Sequence, residues 1–211
     1  MNRAVFLDRD GVINELIYHQ EAGIIDSPFT VDQFTPFSYT GKAVGILNET
    51  GLKVVVVSNQ PGVAKNNFSP ETLCEMNSKL QQSLASQGAH IDGIYYCTHH
   101  PDGKNPAYRM NCDCRKPKPG LLLKAMGELE ITPSHSYMVG DNLTDIAAGQ
   151  AVGCTTILLG RQKCEICHLM DKEGIRPDII VENLLQAAIV ISEWEKGISP
   201  VSLSCLQTMT R

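Results

Sequence analysis

The sequence predicts an α/β protein: a three-layer, Rossmann-like, mostly parallel sheet with helices on both faces and no large cap domain. Three observations predict it. Short apolar, often β-branched runs alternate with helical patterns along most of the chain, and such alternation joins parallel strands through crossover helices. Several of those runs stop at a small polar or acidic residue, at the strand ends where such sheets bind ligands. No Pro/Ser-rich linker, charge run or internal repeat divides the 211 residues, so residues 1–196 are read as one domain.

Each element has its own signature. Ala4 to Leu7 is an apolar run ending at Asp8, and Lys53 to Val57 (Lys-Val-Val-Val-Val) is a β-branched one ending at Ser58. Both are expected to be buried strands. Between them, Ala43 to Thr50 has a helical pattern closed by Gly51, the residue type favoured just past a helix end. Ser69-Pro70-Glu71 supplies an N-cap, a first-turn proline and a first-turn acid ahead of Leu73, Met76, Leu80 and Leu84 at helical intervals. Ile91 to Cys97 predicts a strand, Gly120 to Leu129 a helix, Tyr137 to Val139 a strand, Thr144 to Val152 a helix and Thr155 to Leu159 a strand. Asp178 to Val181 and Leu184 to Lys196 add a last strand and helix, and residues 197–211 are polar, weakly patterned and expected to form a loose tail.

Composition narrows the function. A net charge of −5 with scattered basic residues leaves no electrostatic footprint for nucleic acid or an anionic membrane, so any anion must be gripped locally. No apolar run reaches the roughly 18 residues of a spanning helix, and the N-terminus turns polar at Asp8, too soon for a signal-peptide core. A cytoplasmic protein is expected, monomeric rather than oligomeric. In that compartment the eight cysteines point to metal rather than to disulfides.

Asp8, Ser58 and Asp141 each follow a predicted strand. Asp8-Arg9-Asp10-Gly11 puts two carboxylates two residues apart, suited to sharing a cation or to dividing nucleophile and acid/base work. Asp and Gly are equally at home in a plain turn. The Ser58 hydroxyl and the backbone N–H groups that follow in Asn59-Gln60 suit a phosphate oxygen, or simply begin a loop. In Arg115-Lys116-Pro117-Lys118-Pro119 the alternate prolines fix the backbone, so that a cation is aimed rather than left waving in solvent. Gly140-Asp141-Asn142-Leu143-Thr144-Asp145 offers Asp141 to Mg2+ and a second acid about one helical turn on. A helix cap is its plain alternative.

Cys97-Thr98-His99 and Cys112-Asp113-Cys114 form two ligand pairs, each with one intervening residue, joined by a twelve-residue loop. Three thiols and an imidazole fit a closed, tetrahedral, structural zinc site inserted as a loop, with His100 as the rival to His99. Iron in place of zinc stays open. Arg115 and Lys116 follow Cys114 directly, so the metal would fix the loop that carries the lysine. Cys164-Glu165-Ile166-Cys167 has a metal-like spacing but no second pair beyond His168, and Cys74, Cys154 and Cys205 stand alone. None of these is read as a metal site.

Taken in order, Asp8-Arg9-Asp10, Ser58, Lys116 and Gly140-Asp141 to Asp145 resemble the four motifs of the haloacid dehalogenase-like phosphatase superfamily. The resemblance implies a Mg2+-dependent phosphatase. In it Asp8 attacks phosphorus, Asp10 protonates the leaving oxygen and later activates water, and Ser58 and Lys116 hold phosphoryl oxygens. Mg2+ would bind the carboxylates of Asp8 and Asp141 and the backbone carbonyl of Asp10. The division is physically sound, because an anionic nucleophile meeting an anionic ester needs cations where charge develops.

Gly-Ile-Tyr-Tyr-Cys, Cys-x-His-His-Pro and Cys-Asp-Cys-Arg-Lys-Pro narrow the likeness, over about residues 3 to 160, to the D-glycero-D-manno-heptose 1,7-bisphosphate 7-phosphatases. That family removes a sugar 7-phosphate on the way to nucleotide-activated heptose for lipopolysaccharide or other surface glycans. Histidinol-phosphate phosphatases share the motif order but usually have a shorter metal loop than Pro101 to Asn111 provides. A phosphorylated sugar is therefore the expected partner. An open site would recognise it through Arg9, Asn59, Gln60, the segment after Asn14, and Arg115, whose planar fork matches a second, non-reacting phosphate. The contrasting class, a zinc-stabilised phosphate-binding protein without catalysis, would lack the nucleophile, the acid/base or the lysine, and none is missing. Two departures from the family pattern are Glu15 to Phe34, longer and less regular than the Gly-Tyr-containing segment usual there, and Asn142, where a charged residue is common.

Overall fold

The computed structural model describes residues 2–160 and 164–198. In chain order the first elements are β1 (Ala4–Leu7), β2 (Ile17–His19), β3 (Ile24–Asp26), α1 (Thr40–Glu49), β4 (Lys53–Asn59), α2 (Pro70–Ala85) and β5 (Gly93–Cys97). There follow α3 (Gly120–Glu128), β6 (Tyr137–Gly140), α4 (Leu143–Val152), β7 (Thr155–Leu159), α5 (Cys164–Glu173), β8 (Ile179–Val181) and α6 (Leu184–Glu195).

Six strands form one parallel sheet in the order β5-β4-β1-β6-β7-β8. The chain builds outward from β1 through β4 to β5, then crosses to β6 and builds the other way. Strand order thus reverses at β1 and β6, where a crevice opens at the carboxyl ends. Leu7 pairs with Val56 on one side and Val139 on the other, so Asp8, Ser58 and Asp141 emerge within about one residue of a common level.

Alternation along the strands assigns the two faces. Val5, Leu7, Val54, Val56 and Val139 pack with Val44 and Leu47 of α1, Met76 and Leu80 of α2, and Leu184 and Ile191 of α6. Ala4, Phe6, Val55, Val57 and Met138 pack with Leu122 and Met126 of α3 and Ala148 of α4. Helices therefore cover both faces, which is why β4 needs valine at four successive positions.

Several elements differ from expectation. Strand β4 runs on to Asn59, so Ser58 and Asn59 are strand residues rather than the start of a loop. Helix α5 occupies a stretch for which the sequence predicts no element. Within Glu15 to Phe34 an antiparallel hairpin forms, with Ile17 opposite Asp26 and His19 opposite Ile24. The His19 ring stacks on Phe29 at 3.6 Å, and Phe34 returns to the core fully buried. The base of this excursion is pinched by Glu15 N donating to Thr35 O at 3.1 Å and Phe37 N to Ile13 O at 3.0 Å. The expected tail beyond Ile198, with Cys205, lies outside the described residues. Among the described residues no helix is long and apolar enough to cross a membrane.

Phe6 is fully buried beneath α3 on the central strand. Phe6→Ala is expected to cost about 3–5 kcal/mol by cavity formation, measured as a lower urea midpoint at unchanged m-value.

Candidate active site

The crevice is lined first by acids. Strand β1 ends at Leu7 and is followed at once by Asp8, whose N–H donates to Val139 O of β6 at 3.0 Å. Helix α4 begins with a capping box: Asn142 Oδ1 accepts from Thr144 N at 3.1 Å, and Asp145 Oδ2 accepts from Asn142 N at 3.1 Å. Asn142 is thus the N-cap that turns Asp145 inward. Carboxylate oxygens of Asp8, Asp141 and Asp145 all lie within 4.8 Å of one another. Two glycines permit this crowding. A Cβ on Gly11, where φ is +80°, would stand 2.1 Å from Asp141 Oδ2, and one on Gly140 would stand 2.2 Å from Asp145 Cβ.

Lys116 enters this anionic crevice almost wholly buried. Its Nζ lies 2.6 Å from Asp145 Oδ1 and 3.1 Å from Asp8 Oδ1, and donates to Val57 O at 2.8 Å. Burial opposes the ammonium, but Asp145 and Asp8 outweigh it and hold the pKa above the ordinary lysine value. A single ammonium does not offset three carboxylates. Burial, then the charges of Asp8 and Asp145, push the Asp141 carboxyl up to about 8, and burial raises Asp145 as well despite Lys116. Carboxylates crowded enough to retain a proton near neutrality are a fitting donor set for a hard divalent cation. Because Lys116 occupies Asp145, Asp8 and Asp141 are the residues that would hold it.

A second unit surrounds Asp10. Its Oδ1 accepts from Asn14 Nδ2 at 2.9 Å and from Arg9 Nε and NH2 at 3.2 and 3.0 Å, while Oδ2 accepts from Gln60 Nε2 at 2.6 Å. The Arg9 guanidinium sits 5.5 Å from each of the Phe34 and Tyr96 ring centroids and donates to Gln60 Oε1 at 2.9 Å. Burial would lower its pKa, but the neighbouring Asp10 carboxylate more than offsets this and keeps it charged. The Arg9 side chain, expected to contact substrate, is fully buried among Asp10, Gln60, Phe34 and Tyr96. Gln60 is equally buried and donates to Ser58 Oγ at 3.2 Å, so it too lies beneath the site. Asn14, also fully buried, is a member of this network that the sequence did not single out. The Asn59 side chain faces the Lys116 main chain.

Beyond Lys116 the loop closes on the cysteine cluster. Sγ of Cys112 lies 3.5 Å from Cys97 Sγ and 3.3 Å from Cys114 Sγ, and His99 Nδ1 lies 3.4 Å from Cys114 Sγ. These spacings exceed a ~2.05 Å disulfide and approach the roughly 3.8 Å edge of a tetrahedron with ~2.3 Å Zn–S bonds. All four residues offer ligand atoms within 4.8 Å of one another. His100 turns elsewhere, its Nδ1 accepting from Asp102 N at 3.1 Å. Cys167 is exposed and joins no such cluster among the described residues.

The HAD-hydrolase-like family model matches residues 113–187. Over 152 residues the chain is 42% identical to the D-glycero-beta-D-manno-heptose-1,7-bisphosphate 7-phosphatase of Pasteurella multocida, a match spanning 71% of this chain and 77% of that one. The chain belongs to this HAD-like phosphatase family. It is accordingly a phosphoric monoester hydrolase. The family member of Haemophilus ducreyi is 40% identical over 186 residues, 87% of this chain and 94% of that one. The crystal structure of the D,D-heptose 1,7-bisphosphate phosphatase of B. bronchiseptica, complexed with magnesium and phosphate, matches with a TM-score of 0.74 and 26% identity over 91% of this chain and 99% of that one.

The Asp141 shift has a measurable sign. Folded Asp141, with its pKa near 8, binds its proton more tightly than an unfolded aspartate, so ionising it costs stability as pH climbs from about 4 toward 8. Metal-free protein is expected to lose thermal stability across that window, and Asp141→Asn to flatten the loss, as read from Tm in Mg2+-free buffers between about pH 5 and 8.

Proposed function

We propose that the chain hydrolyses the 7-phosphate of D-glycero-D-manno-heptose 1,7-bisphosphate through an aspartyl-phosphate on Asp8. The observation that carries this reading is Lys116 Nζ within 3.1 Å of Asp8 Oδ1 and donating to Val57 O, one residue before Ser58, in a chain 42% identical to a heptose bisphosphatase. The Asp8 carboxylate attacks phosphorus, while Lys116 and the Ser58 hydroxyl hold the non-bridging oxygens. Asp10 gives a proton to the leaving alkoxide and then takes one from the water that opens the aspartyl-phosphate. Mg2+ held by the carboxylates of Asp8 and Asp141 and the backbone carbonyl of Asp10 would supply the charge neutralisation between nucleophile and phosphoryl group.

Zinc on Cys97, His99, Cys112 and Cys114 has a structural role in this reading, because four protein ligands leave no open position. Arg115, whose NH1 is buried without a hydrogen-bond partner among the described residues, takes the second phosphate of the sugar. The protein then acts in the cytoplasm as a monomer, ahead of nucleotide activation of the heptose for lipopolysaccharide or other surface glycans.

Phosphate release measured in parallel tests the assignment. The heptose bisphosphate is expected to be preferred over histidinol phosphate, with Arg115→Ala raising KM for the bisphosphate; a preference for histidinol phosphate would overturn it. Asp8→Asn is expected to lower kcat by roughly 10³-fold or more while leaving the circular dichroism spectrum unchanged. Cys112→Ser is expected to purify without tightly bound zinc by elemental analysis and with diminished activity.

A further inference from the structure

The Asn59 amide meets the main chain of Lys116 twice. Its Oδ1 accepts from Lys116 N at 3.0 Å, and its Nδ2 donates to Lys116 O at 3.0 Å. We infer that Asn59 is a positioning residue that fixes the peptide from which the Lys116 ammonium is aimed, and is not a substrate contact. The inference rests on the phosphate-binding role proposed for Lys116.

A side-chain amide carries one acceptor and two donors, and so reproduces the pairing face of a peptide unit. Asn59 is the last residue of β4, and its side chain thereby extends the ladder of that strand sideways onto a loop residue. Among the described residues the peptide groups of Lys116 make no backbone–backbone hydrogen bond, and Pro117 contributes no N–H to help. The far end of the same side chain is bound separately, by Val57 O, Asp8 and Asp145. Lys116 is therefore held at both ends, and β4 supplies a partner at each, Asn59 for the peptide and Val57 for the ammonium. The cysteine cluster does not duplicate this restraint, because it ends at Cys114 and Arg115 intervenes. Release of the peptide end leaves the ammonium in the crevice but free to shift, and misplacement of about 1 Å costs on the order of 10²-fold in rate.

A double-mutant cycle separates action through Lys116 from direct contact with substrate. Asn59→Ala is expected to lower kcat/KM by roughly 10²-fold in the native background, and by less than about threefold when Lys116→Met is already present. Equal losses in the two backgrounds, or no loss in the native one, would overturn the inference. A second readout does not depend on turnover. In protein carrying 15N-lysine, the Lys116 amide is expected to exchange slowly with solvent and to lose that protection in Asn59→Ala at unchanged zinc content. Protection retained in the variant would refute the clamp. Failure of the underlying reading looks different: Lys116→Met alone would then turn over as fast as the native enzyme, whatever the amide exchange shows.

Discussion

Three carboxylates that face one another across a crevice repel, and a fold that gathers them must bring positive charge to the same place. Here Lys116 does so, its buried ammonium shared between Asp8, Asp145 and Val57 O. Removing such a partner leaves uncompensated buried charge, which is far costlier than losing a surface pair. With the acids ionised, the unit retains two net negative charges, the amount a divalent cation neutralises. Arg9 and Asp10 form a separate and internally neutral pair beneath it. The site thus divides its buried charge into one group left short of cations and one already complete, and a divalent cation belongs with the first.

The position of that ammonium depends on devices at three distances. Nearest are its own acceptors; next is the Asn59 amide on its peptide; farthest is the thiol and imidazole cluster that gathers Cys97, His99, Cys112 and Cys114. The cluster itself is buttressed by Lys118, which donates to Cys112 O at 2.9 Å and pairs with Asp113 at 3.0 Å. Prolines on either side of Lys118 limit the backbone freedom that remains.

The parallel core was legible because its signals are periodic or strongly biased. The valine run of β4, the Ser69 cap with Pro70, and the apolar spacing of α2 each survive into the structure with small shifts at their ends. The hairpin was not legible. Its strands have three residues each, too few to display alternation, and Tyr18 and Ile25 are exposed rather than paired with a core. Among the candidate site residues, several set by strand ends or ligand spacing came together: Asp8, Lys116 and Asp141 in the crevice, and the four soft ligands in their own cluster. The full burial of Arg9 and Gln60 was not legible in the sequence. A charged or polar side chain next to a strand end is expected to face the ligand, and only the surrounding Phe34, Tyr96 and Asp10 reveal that these two face the interior. Asn14 lies four residues after Asp10, and nothing local marks the contact between them.

The two irregular excursions on the carboxyl side of the sheet are each drawn shut at the neck. Glu15 with Thr35 and Ile13 with Phe37 close the first through backbone hydrogen bonds, and the soft ligands of residues 97–114 gather at the neck of the second. Neither excursion enters the pairing of β1, β4 and β6 that brings the acids level. Between such necks the exposed residues can change with little disturbance to the crevice below, whereas Phe34, buried against Arg9, cannot. The register of the sheet and the outline of its surface loops are thus set by separate sets of bonds.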